Sequence, residues 1–175
     1  MNGRDAGAPA AGQAALLGAL GAALGDRGLR LVTAESCTGG GIAAACSAVD
    51  GASGWLWGGF VTYTIDAKRR VLAVPQHLLD HHGAVSEPVA RAMAEGALAA
   101  SGADLALSVT GIAGPGGGEP LQPVGTVWFG WALRGVHTET AVFRLEGDRA
   151  AVRAAAVDRA LAGARALLTA GAGDD

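Results

Sequence analysis

Of the thirteen lysine and arginine residues in the chain, one is lysine, Lys68, and the other twelve are arginine. Arginine serves as well as lysine for solubility or a surface ion pair, but it does not give up its proton near neutral pH. A desolvated lysine amine does, and can then act as a general base. The only tyrosine, Tyr63, lies five residues upstream in Phe60-Val-Thr-Tyr-Thr-Ile-Asp-Ala-Lys68. A lysine amine is an accepted base for activating a serine, and a suitable serine occurs in Thr33-Ala-Glu-Ser-Cys-Thr-Gly-Gly-Gly41. There Ser36 stands where a strand end meets a helix start, so backbone N–H groups and the helix dipole converge on it. That setting suits a phosphate or a developing oxyanion. The competing reading is architectural, with Thr38 as an N-cap and the glycines packing helix on strand.

Two further segments carry chemistry-bearing residues. Thr110-Gly-Ile-Ala-Gly-Pro-Gly-Gly-Gly118 is neither a Walker loop nor GxGxxG. Its glycines allow close backbone approach to a ligand, and a plain surface connection would look the same. Glu146-Gly-Asp-Arg149 puts a guanidinium at the start of the last helix, able to grip a carboxylate or phosphate or to form a surface pair. His77, His81 and His82 cluster without a metal-ligand spacing, and a helix C-terminus accommodates histidine well. The tryptophans Trp55, Trp57, Trp128 and Trp131 read as packing or subunit-interface residues.

These residues need a scaffold, and the periodicity supplies one. Leu16, Leu17, Leu20, Ala23 and Leu24 recur at helical spacing up to Gly25-Asp-Arg-Gly28. Strands are expected over 29–34, 58–64, 104–110, 124–133 and 137–145, the last two as a hairpin around Arg134-Gly-Val136. Helices are expected over 38–48, 66–72, from Pro75 to His82, from an Ser86 N-cap to about residue 100, and over 148–168. Alternating strands and helices followed by a late hairpin imply a mixed sheet covered on both faces by helices.

Bulk properties narrow the function classes. The 175 residues suit one domain, and 50% hydrophobic with 17% charged residues describes a globular chain. A net charge of −3 provides no field for gripping nucleic acid, and Lys68-Arg-Arg70 is too short to be a nucleic-acid patch. No stretch approaches the ~20 apolar residues of a membrane span, and no early segment reads as a signal peptide. Cys37 and Cys46 lie nine apart around one expected helix, about 13 Å at helical rise, which is too far for a disulfide. A soluble protein of a reducing cytoplasm is the simplest expectation, and a homo-oligomer is expected alongside it.

Six segments resemble the CinA C-terminal family in order: Ala34-Glu-Ser-Cys-Thr-Gly-Gly40, Gly58 to Lys68, His82-Gly-Ala-Val-Ser-Glu87, Val109-Thr-Gly-Ile-Ala-Gly-Pro-Gly-Gly117, Pro123-Val-Gly-Thr-Val127 and Gly147-Asp-Arg149. The resemblance spans residues 12–168 as a single amidase-like domain, with 1–11 and 169–175 expected to be flexible tails. It implies a three-layer α/β/α sandwich that hydrolyses the carboxamide of nicotinamide mononucleotide (NMN) to nicotinate mononucleotide and ammonia. It also implies a serine–lysine pair, Ser36 and Lys68, with Tyr63 beside them. Substrate contacts fall on Cys37, Thr38, Gly39 and Gly40, whose backbone N–H groups would hold the oxyanion, and on Thr110, Gly111, Gly114 and Arg149. Arg153, one turn beyond Arg149, competes for the last role. No metal, organic cofactor, nucleic acid or membrane is implied. Longer members carry an N-terminal domain resembling molybdopterin-binding proteins, so the stand-alone form is expected here. Thr62-Tyr-Thr64 departs mildly from the Ala-Tyr-Ser often found in the family. Two rivals stay open: a cysteine amidase in which Glu35 and Lys68 assist Cys37, and a non-catalytic nucleotide-binding regulatory module.

Overall fold

The computed structural model describes residues 11–170. The expected tails over 1–10 and 171–175 lie outside the described residues, while Ala11 opens the first helix and Thr169 and Ala170 continue the last. In chain order the elements are α1 (Ala11–Gly25), β1 (Leu31–Glu35), α2 (Gly41–Ser47), β2 (Leu56–Val61), α3 (Ile65–Leu72), α4 (Gln76–His82), α5 (Glu87–Ser101), β3 (Leu105–Gly111), β4 (Thr126–Leu133), β5 (Thr138–Arg144) and α6 (Arg149–Ala170).

The five strands form one mixed sheet in the order β2-β1-β3-β4-β5. β1 runs parallel to both β2 and β3, and β4 and β5 are antiparallel additions. β1 is buried along its whole length and β3 along all but its last residue, as continuous apolar runs predict for strands covered on two faces. On one face Leu31, Leu105, Leu107 and Phe129 pack against α1, α2 and α6. On the other, Val32, Ala34, Ala106 and Ala132 pack against Leu72, Leu79 and the apolar side of α5. The expected three-layer sandwich is present, with shifts of a few residues at element ends.

The topology locates the site. The chain leaves β1 through α2 to reach β2 on one side, then crosses by α3, α4 and α5 on the opposite face to place β3 on β1's other side. The strand order therefore reverses at β1, and a crevice opens at the carboxyl ends of β1 and β3. Ser36 and Thr110 stand at those two ends.

One local expectation is corrected and one is refined. The Thr38 side chain does not cap α2: the N-cap is Gly40, with φ 92°, the Gly41 N–H donates to the Thr38 carbonyl, and the next two N–H groups are taken by Glu35. Ser86 is the N-cap residue of α5, as expected, but its hydroxyl donates to the Gly83 carbonyl at 2.9 Å rather than receiving a cap bond.

Candidate active site

α3 carries Lys68 into the protein. Thr64 caps the helix by accepting from the Ala67 N–H at 3.1 Å, with Asp66 in the first turn and Arg69 and Arg70 in the last, a charge order that complements the helix dipole. Lys68 and Leu72, four residues apart, form its buried side. At 1% exposure Lys68 is among the largest fully buried side chains of the described residues. Its Nζ donates to the Thr62 carbonyl at 2.8 Å and lies 2.8 Å from Ser36 Oγ. Both partners are neutral, so neither supplies a countercharge for the water that is lost. Burial pulls the Lys68 ammonium down from 10.5 to about 8, opposed only weakly by the nearby Cys37.

Ser36 is held from both strands of the crevice. It follows β1 directly, and its N–H donates to the Val109 carbonyl of β3 at 3.0 Å. Behind it Glu35 is fully buried and accepts four hydrogen bonds: Thr33 Oγ1 at 3.0 Å, Thr38 Oγ1 at 2.7 Å, and the Ile42 and Ala43 N–H groups at 3.0 and 2.9 Å. A buried carboxylate needs such partners. Here they tie the start of α2 to the strand end and so fix the Ser36 turn. The sequence reading gave Glu35 only an assisting role beside Cys37. The available signal was an acid placed at the end of an apolar strand.

A cavity of about 190 Å³ opens over this pair, lined by Ser36, Cys37, Tyr63, Ile65, Lys68, Ala84, Val85, Thr110, Gly111, Ala113 and Arg149. Seven of the eleven expected site residues thus lie side by side: Ser36, Lys68, Tyr63, Cys37, Thr110, Gly111 and Arg149. Thr38, Gly39, Gly40 and Gly114 are not in the lining. The Gly39 N–H donates to the Ser36 carbonyl at 3.0 Å, and the Thr110 hydroxyl to the Ala84 carbonyl at 2.7 Å. Tyr63 and Arg149 form the exposed mouth. Arg149 Nη2 donates to Tyr63 Oη at 3.0 Å and Nη1 to the Gly114 carbonyl at 2.8 Å, joining three segments distant in sequence. Arg153 turns elsewhere: its Nε and Nη2 donate to the Cys37 and Thr38 carbonyls at 3.1 and 2.9 Å.

Cys37 and Cys46 are buried and unbonded to each other. Cys37 precedes α2 rather than lying within it. Burial pushes the Cys37 thiol up to about 11, although the charges of Lys68 and Arg153 work against the shift. His77, His81 and His82 sit on α4, where His81 Nδ1 bonds the His77 carbonyl at 2.7 Å. No helix among the described residues is long and apolar enough to cross a membrane.

The CinA C-terminal domain family matches residues 13–168. The chain belongs to that family. It is 52% identical over 134 residues to a nicotinamide-nucleotide amidohydrolase PncC of Enterobacter agglomerans, covering 77% of this chain and 82% of that protein. Against PncC of Escherichia coli K12 the identity is 49% over 142 residues, with 81% and 86% covered. A CinA-like protein of Akkermansia muciniphila is 54% identical over 140 residues, but these are 80% of this chain and 34% of that protein. The chain therefore spans about a third of the length of the long CinA-like relatives. Among solved structures, a competence/damage-inducible protein of Agrobacterium tumefaciens superposes with TM-score 0.89 at 41% identity, covering 92% of this chain and 98% of that one. A CinA superfamily protein of Escherichia coli gives 0.85 at 42%, covering 97% and 99%.

Proposed function

We propose that this CinA-family chain is a nicotinamide-nucleotide amidohydrolase that converts NMN to nicotinate mononucleotide and ammonia by a serine–lysine mechanism. The observation that carries the reading is the buried Lys68 amine, 2.8 Å from Ser36 Oγ at the floor of the crevice. Relatives at 49–52% identity named for this activity supply the substrate class.

With its ammonium pulled down to about 8, Lys68 is neutral in about one molecule in ten at pH 7. In that form the Ser36 hydroxyl donates to Nζ. Oγ attacks the carboxamide carbon, its proton passes to Lys68, and the carbonyl electron pair moves onto oxygen. Backbone N–H groups of the Cys37–Gly40 turn stabilise that oxyanion. The Gly39 N–H is already engaged, which leaves its neighbours in the turn for the task. Collapse of the tetrahedral species breaks the carbon–nitrogen bond, and the Lys68 ammonium protonates the departing nitrogen, releasing ammonia. Water, giving its proton to Lys68, then adds to the acyl carbon; collapse breaks the bond to Ser36 Oγ, which takes the proton back from Lys68, and the acid product leaves as the carboxylate. The cavity, below the ~300–1,000 Å³ of whole-ligand pockets, admits a pyridine carboxamide and leaves ribose and phosphate at the mouth beside Tyr63 and Arg149.

A serine nucleophile is favoured over Cys37. Burial holds that thiol at about 11, far from the thiolate it would need, and Glu35 is saturated by four donors. A non-catalytic nucleotide module has no use for a desolvated lysine against a serine. The test is product analysis: purified chain incubated with NMN should yield equal amounts of ammonia and nicotinate mononucleotide. Ser36→Ala should yield neither while staying folded, and Cys37→Ala should retain most of the rate. Full turnover by Ser36→Ala, or none by the wild type, overturns the reading.

A further inference from the structure

We propose that Arg153 is a positioning residue that sets the oxyanion donors of the Ser36 turn, an inference that rests on the amidohydrolase reading above. Two side chains hold this turn from opposite ends. Glu35 takes the N–H groups that open α2. Arg153, reaching over from α6, takes the carbonyls of Cys37 and Thr38 with two nitrogens of one guanidinium. It is not among the residues that line the cavity.

Peptide geometry turns that grip into an orientation. In a planar trans peptide the C=O of one residue and the N–H of the next point in opposite directions. Holding the Cys37 carbonyl against Arg153 therefore turns the Thr38 N–H away from it, and holding the Thr38 carbonyl does the same for Gly39. The Gly39 N–H then closes the turn onto the Ser36 carbonyl at 3.0 Å. Of the two N–H groups that this grip turns, the Thr38 N–H is the one not engaged within the turn. A planar fork fixes two adjacent carbonyls at once, which a single ammonium does not. The charge also polarises both peptides, strengthening the N–H on the far side of each.

Gly39 fits this role. Its φ of 62° is left-handed, which favours glycine, and the place a Cβ would take lies in ordinary contact, 3.4 Å, with Arg153 Nη2. Arg149 and Arg153, one turn apart on α6, thus divide the work. The first faces the mouth and the second braces the nucleophile's backbone.

The experiment compares wild type, Arg153→Ala and Arg153→Lys by NMN turnover, by the rate at which a fluorophosphonate probe labels Ser36, and by melting temperature. Removing a whole oxyanion donor lowers kcat by ~10²–10³. Loosening one should lower kcat and the labelling rate about 10-fold to 10²-fold in Arg153→Ala, with KM changed less than about 2-fold. Arg153→Lys should recover only part of the loss, and added guanidinium should restore part of the Arg153→Ala rate in the folded variant. Wild-type kcat in Arg153→Ala, or a loss appearing in KM with labelling unchanged, overturns the proposal and makes Arg153 a bystander or a substrate contact. A wild-type chain that labels at Ser36 but leaves NMN untouched refutes the substrate and leaves the labelling comparison to decide Arg153. One that does neither refutes both.

Discussion

Thr62 gives the site its backbone and leaves its hydroxyl idle. Its N–H donates to the Glu35 carbonyl at 2.8 Å and its carbonyl accepts from Lys68, yet among the described residues its Oγ1 is the one buried side-chain polar atom with no partner. An unpaired buried hydroxyl costs about 1–3 kcal/mol, so Thr62→Val, which keeps the shape, should raise unfolding stability by about 1 kcal/mol in denaturant titration. Turnover should stay within about twofold. A loss of stability would mean that the hydroxyl does hold a partner. Lys68 could be read from composition because a lone amine among arginines is a chemical exception. Glu35 could not be assigned its place, because three of its four partners, Thr38, Ile42 and Ala43, are brought to it by the turn after β1 and the start of α2.

At the level of elements, periodicity and end signals located every α-helix and strand but not the short 3-10 turn Ala52–Gly54, and the remaining differences lie at element ends. α2 begins at Gly41 rather than Thr38 because the Thr38 hydroxyl turns to Glu35 and Gly39 and Gly40 take left-handed angles. Such a bend has no periodic signature. The α6 start was legible as a guanidinium at a helix N-terminus, but spacing alone could not divide Arg149 from Arg153. The structure separates them by partner, Tyr63 Oη and the Gly114 carbonyl for one and the nucleophile turn for the other. Arg149, exposed at the mouth, is therefore the residue expected to meet the substrate phosphate. A hydrogen bond to a charged group contributes about 1.5–3 kcal/mol, so Arg149→Ala should raise KM for NMN by about 10-fold or more. The effect should be much smaller for the riboside, which has no phosphate. Equal losses on both substrates would place Arg149's role elsewhere.

Across the whole molecule, the decisive step is one the sequence implied only in outline. Composition and pattern give a mixed sheet between two helix layers, but strand order follows from which crossover takes which face. Here that choice brings residues 32 apart in sequence to 2.8 Å at the point where the order reverses. Burying Lys68 there is the work of the full sandwich, since α3, α5 and the sheet together exclude water from it. The net charge of −3 means that recognition of an anionic nucleotide must come from local groups at the mouth rather than from the protein's overall field. The most direct test of the serine–lysine account is kcat/KM for ammonia release from NMN, measured from pH 6 to 10 in wild type and Lys68→Arg. Protonated Lys68 is inactive as a base, so the wild-type rate should fall about tenfold per unit below an apparent pKa of about 8 and level off above it. Lys68→Arg keeps the charge but has almost no neutral form, and it should lose ~10²–10⁴-fold at every pH. A Lys68→Arg enzyme with near-normal turnover, or a wild-type profile flat through pH 8, would contradict the account.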